Sequence, residues 1–273
     1  MIDVKSRNPV VSDVITIPQV RLAATADLHV RGPEAEGLVE HFLNLGERAD
    51  LLLVAGDLTE NGRLIEAEAA AELLAMTKLP VVAVLGNHDN RTLRRTAFRR
   101  SFTRRGIEVL DGQSTRLVLP NQVSVGIAGT AGCGGGFWPH EGPNAFHART
   151  LKRLALRSRR ECLALETAIA RMEADFTIAL THFAPTTTTL GQEPFVKYWM
   201  LGNCELGLVL DRGVPDLAVH GHAHLGSLLG RTARGVPVRN VALPIVGDVH
   251  VESFIPRRRS GMNEVRSRAF VSA

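Results

Sequence analysis

The sequence predicts an α/β fold in which strands alternate with helices around a parallel sheet. Three observations carry this. Near the start, three units repeat one plan: an apolar strand, a turn rich in Asp, Asn, His and Gly, then a helical pattern. The strands themselves (RLAATADLH, LLLVAGD and VVAVLGNHD) are continuous apolar runs, as expected of parallel strands covered on both faces. From Phe176 the same plan returns in FTIALTH and LAVHGHAH.

Taken in order, the first unit joins its strand to a helix over Glu34 to Arg48, and the second follows LLLVAGD with a helix after Gly62. The third places a basic helix over Arg91 to Arg105. Beyond Gly106 the character changes: Ile107 to Leu110, Thr115 to Leu119 and Val123 to Ala128 are short strand candidates separated by turn signals, which suits antiparallel pairing. A glycine-rich loop, GTAGCGGGFWPHEGPN, then precedes the longest helical pattern, Phe146 to about Glu173. Strand candidates over Leu225 to Arg231 and Val236 to Ala242 finish the core.

Composition bounds the function. With 273 residues and 45% hydrophobic content the chain can bury a large core as one α/β domain. A net charge of +4 and a pI near 9.3 are too modest to argue for nucleic-acid binding on their own, and the basic runs read equally well as solvated helix faces. Cys133, Cys162 and Cys204 lie far apart with no CxxC, so neither a disulfide framework nor a zinc knuckle is indicated. The first residues lack the apolar region of a signal peptide, and no window reaches the length of a membrane span. The expectation is a soluble, cytoplasmic protein with no membrane partner.

The polar strand ends carry the chemistry. Singly they are ambiguous: Asp27 with His29 reads as a cap or turn, Gly56-Asp57 and Gly86-Asn87 as ordinary strand-to-helix turns, and His182 as a satisfied core histidine. His220-Gly-His-Ala-His224 is harder to explain as core or surface. Jointly, five strands deliver Asp, Asn or His to their carboxyl ends, the edge at which open α/β sheets bind ligands. Asp27, His29, Asp57, Asn87, His182, His222 and His224 are seven candidate ligands, too many for one tetrahedral zinc and about right for two metals sharing a carboxylate. Carboxylate, amide and imidazole without thiolate suit Mn²⁺, Fe²⁺ or Zn²⁺.

The ordered blocks D-x-H (Asp27, His29), G-D (Gly56, Asp57), G-N-H-D (Gly86 to Asp89), a lone histidine (His182) and G-H-x-H (Gly221 to His224) resemble those of the calcineurin-like metallophosphoesterase superfamily. The resemblance implies a four-layer α/β/β/α sandwich of two mixed sheets and a centre of two divalent metal ions (Mn²⁺, Fe²⁺/Fe³⁺ or Zn²⁺). It implies that Asp27, His29, Asp57 and His224 hold one metal and that Asp57, Asn87, His182 and His222 hold the other. His88 would reach the phosphate or leaving group, and Asp89 would fix its tautomer and orientation. The chain then divides into an N-terminal extension (1–19), a metallophosphoesterase catalytic domain (20–250) and a basic, mobile tail (251–273).

The implied activity is hydrolysis of a phosphodiester or phosphomonoester in a small molecule, a nucleotide among the candidates. GDLTENG followed by GNHD departs from the Ser/Thr protein phosphatase pattern and looks more like the small bacterial phosphodiesterase branch. A nuclease tracking a phosphate backbone with its basic helices is the alternative, and a non-catalytic module on this fold has no support because every block is intact. Substrate choice falls to the variable loops. Trp138 and His140 in the glycine-rich loop are candidate substrate contacts, against the plainer reading of aromatics tucked into the domain. Hydroxyls of Thr186 to Thr189 are candidate phosphate donors, against a solvated linker.

Overall fold

The computed structural model describes residues 18–33, 35, 37–142 and 149–256. In chain order these form β1 (Val20–Thr25), α1 (Val39–Phe42), α2 (Leu45–Arg48), β2 (Leu51–Ala55), α3 (Leu64–Ala75), β3 (Val81–Val84), α4 (Arg95–Thr103) and β4 (Ile107–Leu110). There follow β5 (Gln113–Val118), β6 (Ser124–Thr130), a small hairpin of β7 (Gly136–Phe137) and β8 (His140–Glu141), α5 (Arg149–Ala170) and β9 (Phe176–Thr181). The remainder is α6 (Tyr198–Leu201), α7 (Cys204–Gly213), β10 (Leu217–His220), β11 (Leu229–Arg231), β12 (Pro237–Asn240), α8 (Leu243–Val246) and β13 (His250–Phe254).

Two mixed sheets result. One has the order β13-β1-β2-β3-β4, parallel except for β13, and the other the order β11-β12-β10-β9-β6-β5, parallel except for its two edges. The alternation of side chains along each strand sorts the apolar runs into three cores. Leu52 and Val54 point to the helical side with Phe42, Leu74, Phe98 and Phe102, whereas Leu51, Leu53 and Ala55 face Ile127, Ile178 and Val219 of the second sheet. Ala128, Ala179 and Ala218 on that sheet's far side pack with Leu165, Ile169, Leu206 and Leu210 of α5 and α7. Helices, sheet, sheet and helices are therefore stacked in the expected α/β/β/α order, because each central strand is apolar on both faces.

Several local expectations change. The helix over Glu34 to Arg48 is two four-residue helices, interrupted at Asn44 in the left-handed region (φ 57°), and residues 34 and 36 lie outside the described residues. Strand β4 pairs parallel with β3, not antiparallel with its successor, since α4 supplies the crossover that a parallel pair needs. The span Leu225 to Arg231 is strand only at Leu229–Arg231. The start of the long helix at Phe146 falls outside the described residues.

The expected tail boundary also moves. Residues 251–254 belong to β13, which pairs antiparallel with β1 from His250 opposite Ala24 to Phe254 opposite Val20. Val251 packs on the helical side and Phe254 on the inter-sheet core, where its ring lies 5.1 Å from that of Phe176. The polar Glu252 and Ser253 hide this period-two pattern in the sequence. Residues 1–17 of the expected extension, and residues 257–273 of the expected tail, lie outside the described residues.

Phe102 is fully buried, with its ring 5.6 Å from that of Phe98 in the helical core. Phe102→Ala is expected to lower unfolding free energy by about 3–5 kcal/mol, through lost burial and an unfilled cavity, as read by chemical denaturation.

Candidate metal centre

The carboxyl ends of β1, β2, β3, β9 and β10 converge on one rim. Asp27, His29, Asp57 and His222, none of them glycine, all have positive φ (59°, 46°, 50° and 69°), a conformation that costs energy and gathers at functional sites. Backbone bonds lock the first two turns together: Asp27 N donates to Gly56 O and His29 N to Asp57 O, both at 3.0 Å. Glycines allow the closest approaches. A Cβ on Gly86 would stand 2.0 Å from Asp57 Oδ1, one on Gly56 2.6 Å from His182 Nδ1, and one on Gly221 2.4 Å from Asp27 Oδ2.

Three overlapping groups of metal-competent atoms emerge among the described residues; the middle one, His29, Asp57 and His88, joins the other two. Asp27, His29 and His224 form one, and Asp57, His182 and His222 the other, each with its ligand atoms within 4.8 Å of one another. Asp57 connects them: its Oδ2 lies 3.4 Å from His182 Nε2 and 3.9 Å from His29 Nε2. Asn87 Oδ1 joins the second group at 2.9 Å from His182 Nε2. Two of the rings already have one nitrogen committed to a carbonyl, His182 Nδ1 to Ala55 O at 2.9 Å and His222 Nε2 to Met200 O at 3.1 Å. Such outer contacts orient a ring so that its other nitrogen faces a cation.

The residues fit metal ions. Asp27 Oδ1 is buried and makes no hydrogen bond of sound geometry, although His224 Nε2 is only 3.0 Å away. A buried orphan acceptor of this kind calls for a cation. The protons tell the same story. Burial pushes the Asp57 carboxyl up, but His182 and the His88 amide outweigh it and hold it well below the usual carboxylate range. Burial would lower His182, yet Asp57 raises it to about 9, while burial beside His182 pushes His222 down to about 4. A proton on His182 thus supplies the positive charge that Asp57 needs, a place that a divalent cation takes by displacing it.

His88 stands at the edge of the centre, its ring 4.6 Å from that of His29 and its Nε2 4.0 Å from Asp57 Oδ2. Its expected orienter is a correction. Asp89 makes no contact with the His88 ring; its fully buried carboxylate accepts from Leu58 N, Thr59 N, Thr59 Oγ1 and Gly86 N at 2.7–3.1 Å. Burial and the nearby Asp57 push that carboxyl up to about 6 against those donors. The short turn after His88 carries Asp89 away from the ring and back under the β2 turn. His88 is held instead by Glu60, whose carbonyl lies 2.7 Å from Nδ1 and whose carboxylate lies 3.7 Å from the same nitrogen. Glu60 Oε2 is also 3.3 Å from His29 Nδ1. Sequence reading missed Glu60, although it lies only three residues beyond Asp57 in GDLTENG.

The loop candidates are not among the metal groups. Trp138, 82% exposed, is at the tip of the β7–β8 hairpin, and His140 stacks on Phe195 at 5.1 Å with the planes 13° apart. Phe137 and His140 both lie against Tyr198, so this hairpin rests on the segment before α7. The threonine run is scaffold. Thr186 and Thr188 hydroxyls donate to Arg231 O, and Thr189 Oγ1 lies 2.8 Å from His220 Nε2, which accounts for the first histidine of HGHAH.

Gly86→Ala is expected to lose most bound metal and to lower stability, because its Cβ would clash with the Asp57 side chain and, at 2.3 Å, with the Asp57 backbone N; elemental analysis after reconstitution and chemical denaturation read the two losses.

Comparison with known proteins agrees with this geometry. The model of the calcineurin-like phosphoesterase family matches residues 20–226. Among solved structures, TT1561 of Thermus thermophilus is similar over 88% of this chain and 100% of its own, with a TM-score of 0.54 at 16% identity. A putative 5'-nucleotidase from Staphylococcus aureus, in complex with alpha-ketoglutarate, is similar over 82% of this chain and 48% of its own, with a TM-score of 0.51 at 14% identity. No curated protein sequence matches the chain.

Proposed function

Because the chain belongs to the calcineurin-like phosphoesterase family, which makes it a metal-dependent phosphoester hydrolase, we propose that it cleaves small-molecule phosphoesters at a two-metal centre. Phosphodiesters are the favoured class, nucleotides among them, on the GDLTENG, GNHD and HGHAH blocks. The observation that carries the reading is the pair of donor groups with the Asp57 carboxylate reaching both.

Asp27, His29, Asp57 and His224 would hold one cation, and Asp57, Asn87, His182 and His222 the other. Nitrogen and oxygen donors without thiolate suit Mn²⁺, Fe²⁺/Fe³⁺ or Zn²⁺. Bound there, the cations neutralise phosphoryl charge and make a water nucleophilic at neutral pH. The chain's own groups do the rest. His88 Nε2, 4.0 Å from Asp57 Oδ2, would serve the leaving oxygen, which needs a proton as its bond to phosphorus breaks. Glu60 holds Nδ1 from the other side, so a positive charge on the ring faces a carboxylate. Asp89 keeps the β2 and β3 turns in register and acts by position alone.

The nuclease alternative finds less support. Several arginines of the basic helices are paired within the protein: Arg99 with Asp111, Arg105 with Glu68 and Glu72, and Arg157 with Glu161. Among the described residues no helix is long and apolar enough to cross a membrane.

Protein reconstituted with Mn²⁺ is expected to hydrolyse bis(p-nitrophenyl) phosphate and a subset of a panel of linear and cyclic nucleotides. Absence of turnover at full metal occupancy sinks the reading. Asp57→Asn should lose metal and activity together, whereas His88→Ala should keep its metal and slow turnover by about 10²–10⁴-fold; metal analysis beside kinetics separates the two roles. Chelation should abolish activity, and re-added cation should restore it.

A further inference from the structure

Arg91 is left unused by this mechanism, yet it lies against its reacting face. The turn that bears it is firmly built. Asp89 anchors it from below, Asn90 Nδ2 donates to Gly86 O at 2.7 Å, and Arg91 N donates to His88 O at 3.1 Å. The turn also packs on Gly62, where a Cβ would stand 3.0 Å from Asp89 O and 3.1 Å from His88 O. From this base the exposed side chain of Arg91 folds back over His88. Its Nη2 lies 3.2 Å from His88 Nε2, and its Nη1 donates to Glu60 O at 3.0 Å.

Two features single this guanidinium out. Arg31 pairs with Glu60 and Arg63 with Glu66, whereas Arg91, on the same side of the centre, reaches the Glu60 carbonyl and His88 Nε2 and has no ion pair with a carboxylate among the described residues. It also occupies the face of the one nitrogen through which His88 can reach a leaving oxygen. A planar cation with N–H donors to spare, held by a carbonyl and a ring nitrogen, is an incomplete site whose natural third partner is a bidentate oxyanion.

We infer that Arg91 is a phosphate-binding side chain: as substrate enters, its guanidinium leaves His88 and takes two non-bridging oxygens of the phosphoryl group. One movement then both grips the substrate and uncovers Nε2. The inference rests on the phosphoesterase reading above, and it adds the residue that recognises the anion rather than the one that serves the leaving group.

The test uses the metal-loaded protein with inorganic phosphate as probe, followed by kinetics on p-nitrophenyl phosphate and bis(p-nitrophenyl) phosphate. Arg91→Ala is expected to bind metal as the wild type does but to bind phosphate about 10- to 100-fold more weakly by calorimetry, the loss of a charge-assisted pair. KM should rise with it while kcat changes less. Arg91→Lys should recover part of the affinity as a point charge without the fork, and free guanidinium should restore phosphate binding to Arg91→Ala. Phosphate affinity and KM unchanged in Arg91→Ala, with the wild type active, overturn the inference and leave the activity standing. Arg91-dependent phosphate binding in a wild type that turns over no ester supports the anion site and removes the proposed activity.

Discussion

A single buried carboxylate holds the centre in shape. Asp89 takes no part in the ligand groups, but its two oxygens gather amide and hydroxyl hydrogens from the turn after β2 and from the turn after β3. Those turns carry Asp57 and Asn87, so the carboxylate fixes how far apart the residues that share the second group can stand. Burying a carboxylate is costly unless its lone pairs are used, and here four donors use them. With Asp89 in place, Asp57 Oδ1 accepts from the His88 amide at 2.8 Å, and the same scaffold sets the positions of both side chains.

The scaffold also stores strain. Four of the site residues sit in the left-handed region without being glycine, each at roughly 1–2 kcal/mol. The strands behind them are fully buried runs from Leu51 to Ala55 and from Val81 to Val84, bonded on both sides along the sheet. A rigid sheet can impose such turns where a loop alone would relax. The glycines at 56, 86 and 221 complete the arrangement by letting backbone and ligand approach more closely than any side chain permits.

Much of this was legible from the residues. Periodicity gave the parallel strands, and the repeated placement of Asp, Asn and His at their ends gave the rim, because those side chains are read from position alone. What could not be read depended on direction. Asp89 follows His88 in sequence, yet the turn sends its carboxylate beneath the neighbouring strand, while Glu60 arrives from another loop to hold the ring. Arg91 looked like the first residue of a basic helix, but the helix begins at Arg95 and the intervening turn lays its exposed side chain across His88. The strand over 250–254 escaped because its two apolar residues, Val251 and Phe254, are separated by two polar ones beside a basic segment.

The pairing of β13 with β1 ties the timing of assembly to the whole described chain. β1 carries Asp27 and His29 beyond its end, yet the strand that closes its outer edge is the last in sequence among the described residues. His222 and His224 likewise emerge long after the first turns. The β1–β4 units and their helical core form from contacts between near neighbours in sequence, whereas the covering strand and the histidines of the Asp27 and His182 groups come from far along the chain. Contacts so distant in sequence are slow to form, so these two donor groups are completed late in folding.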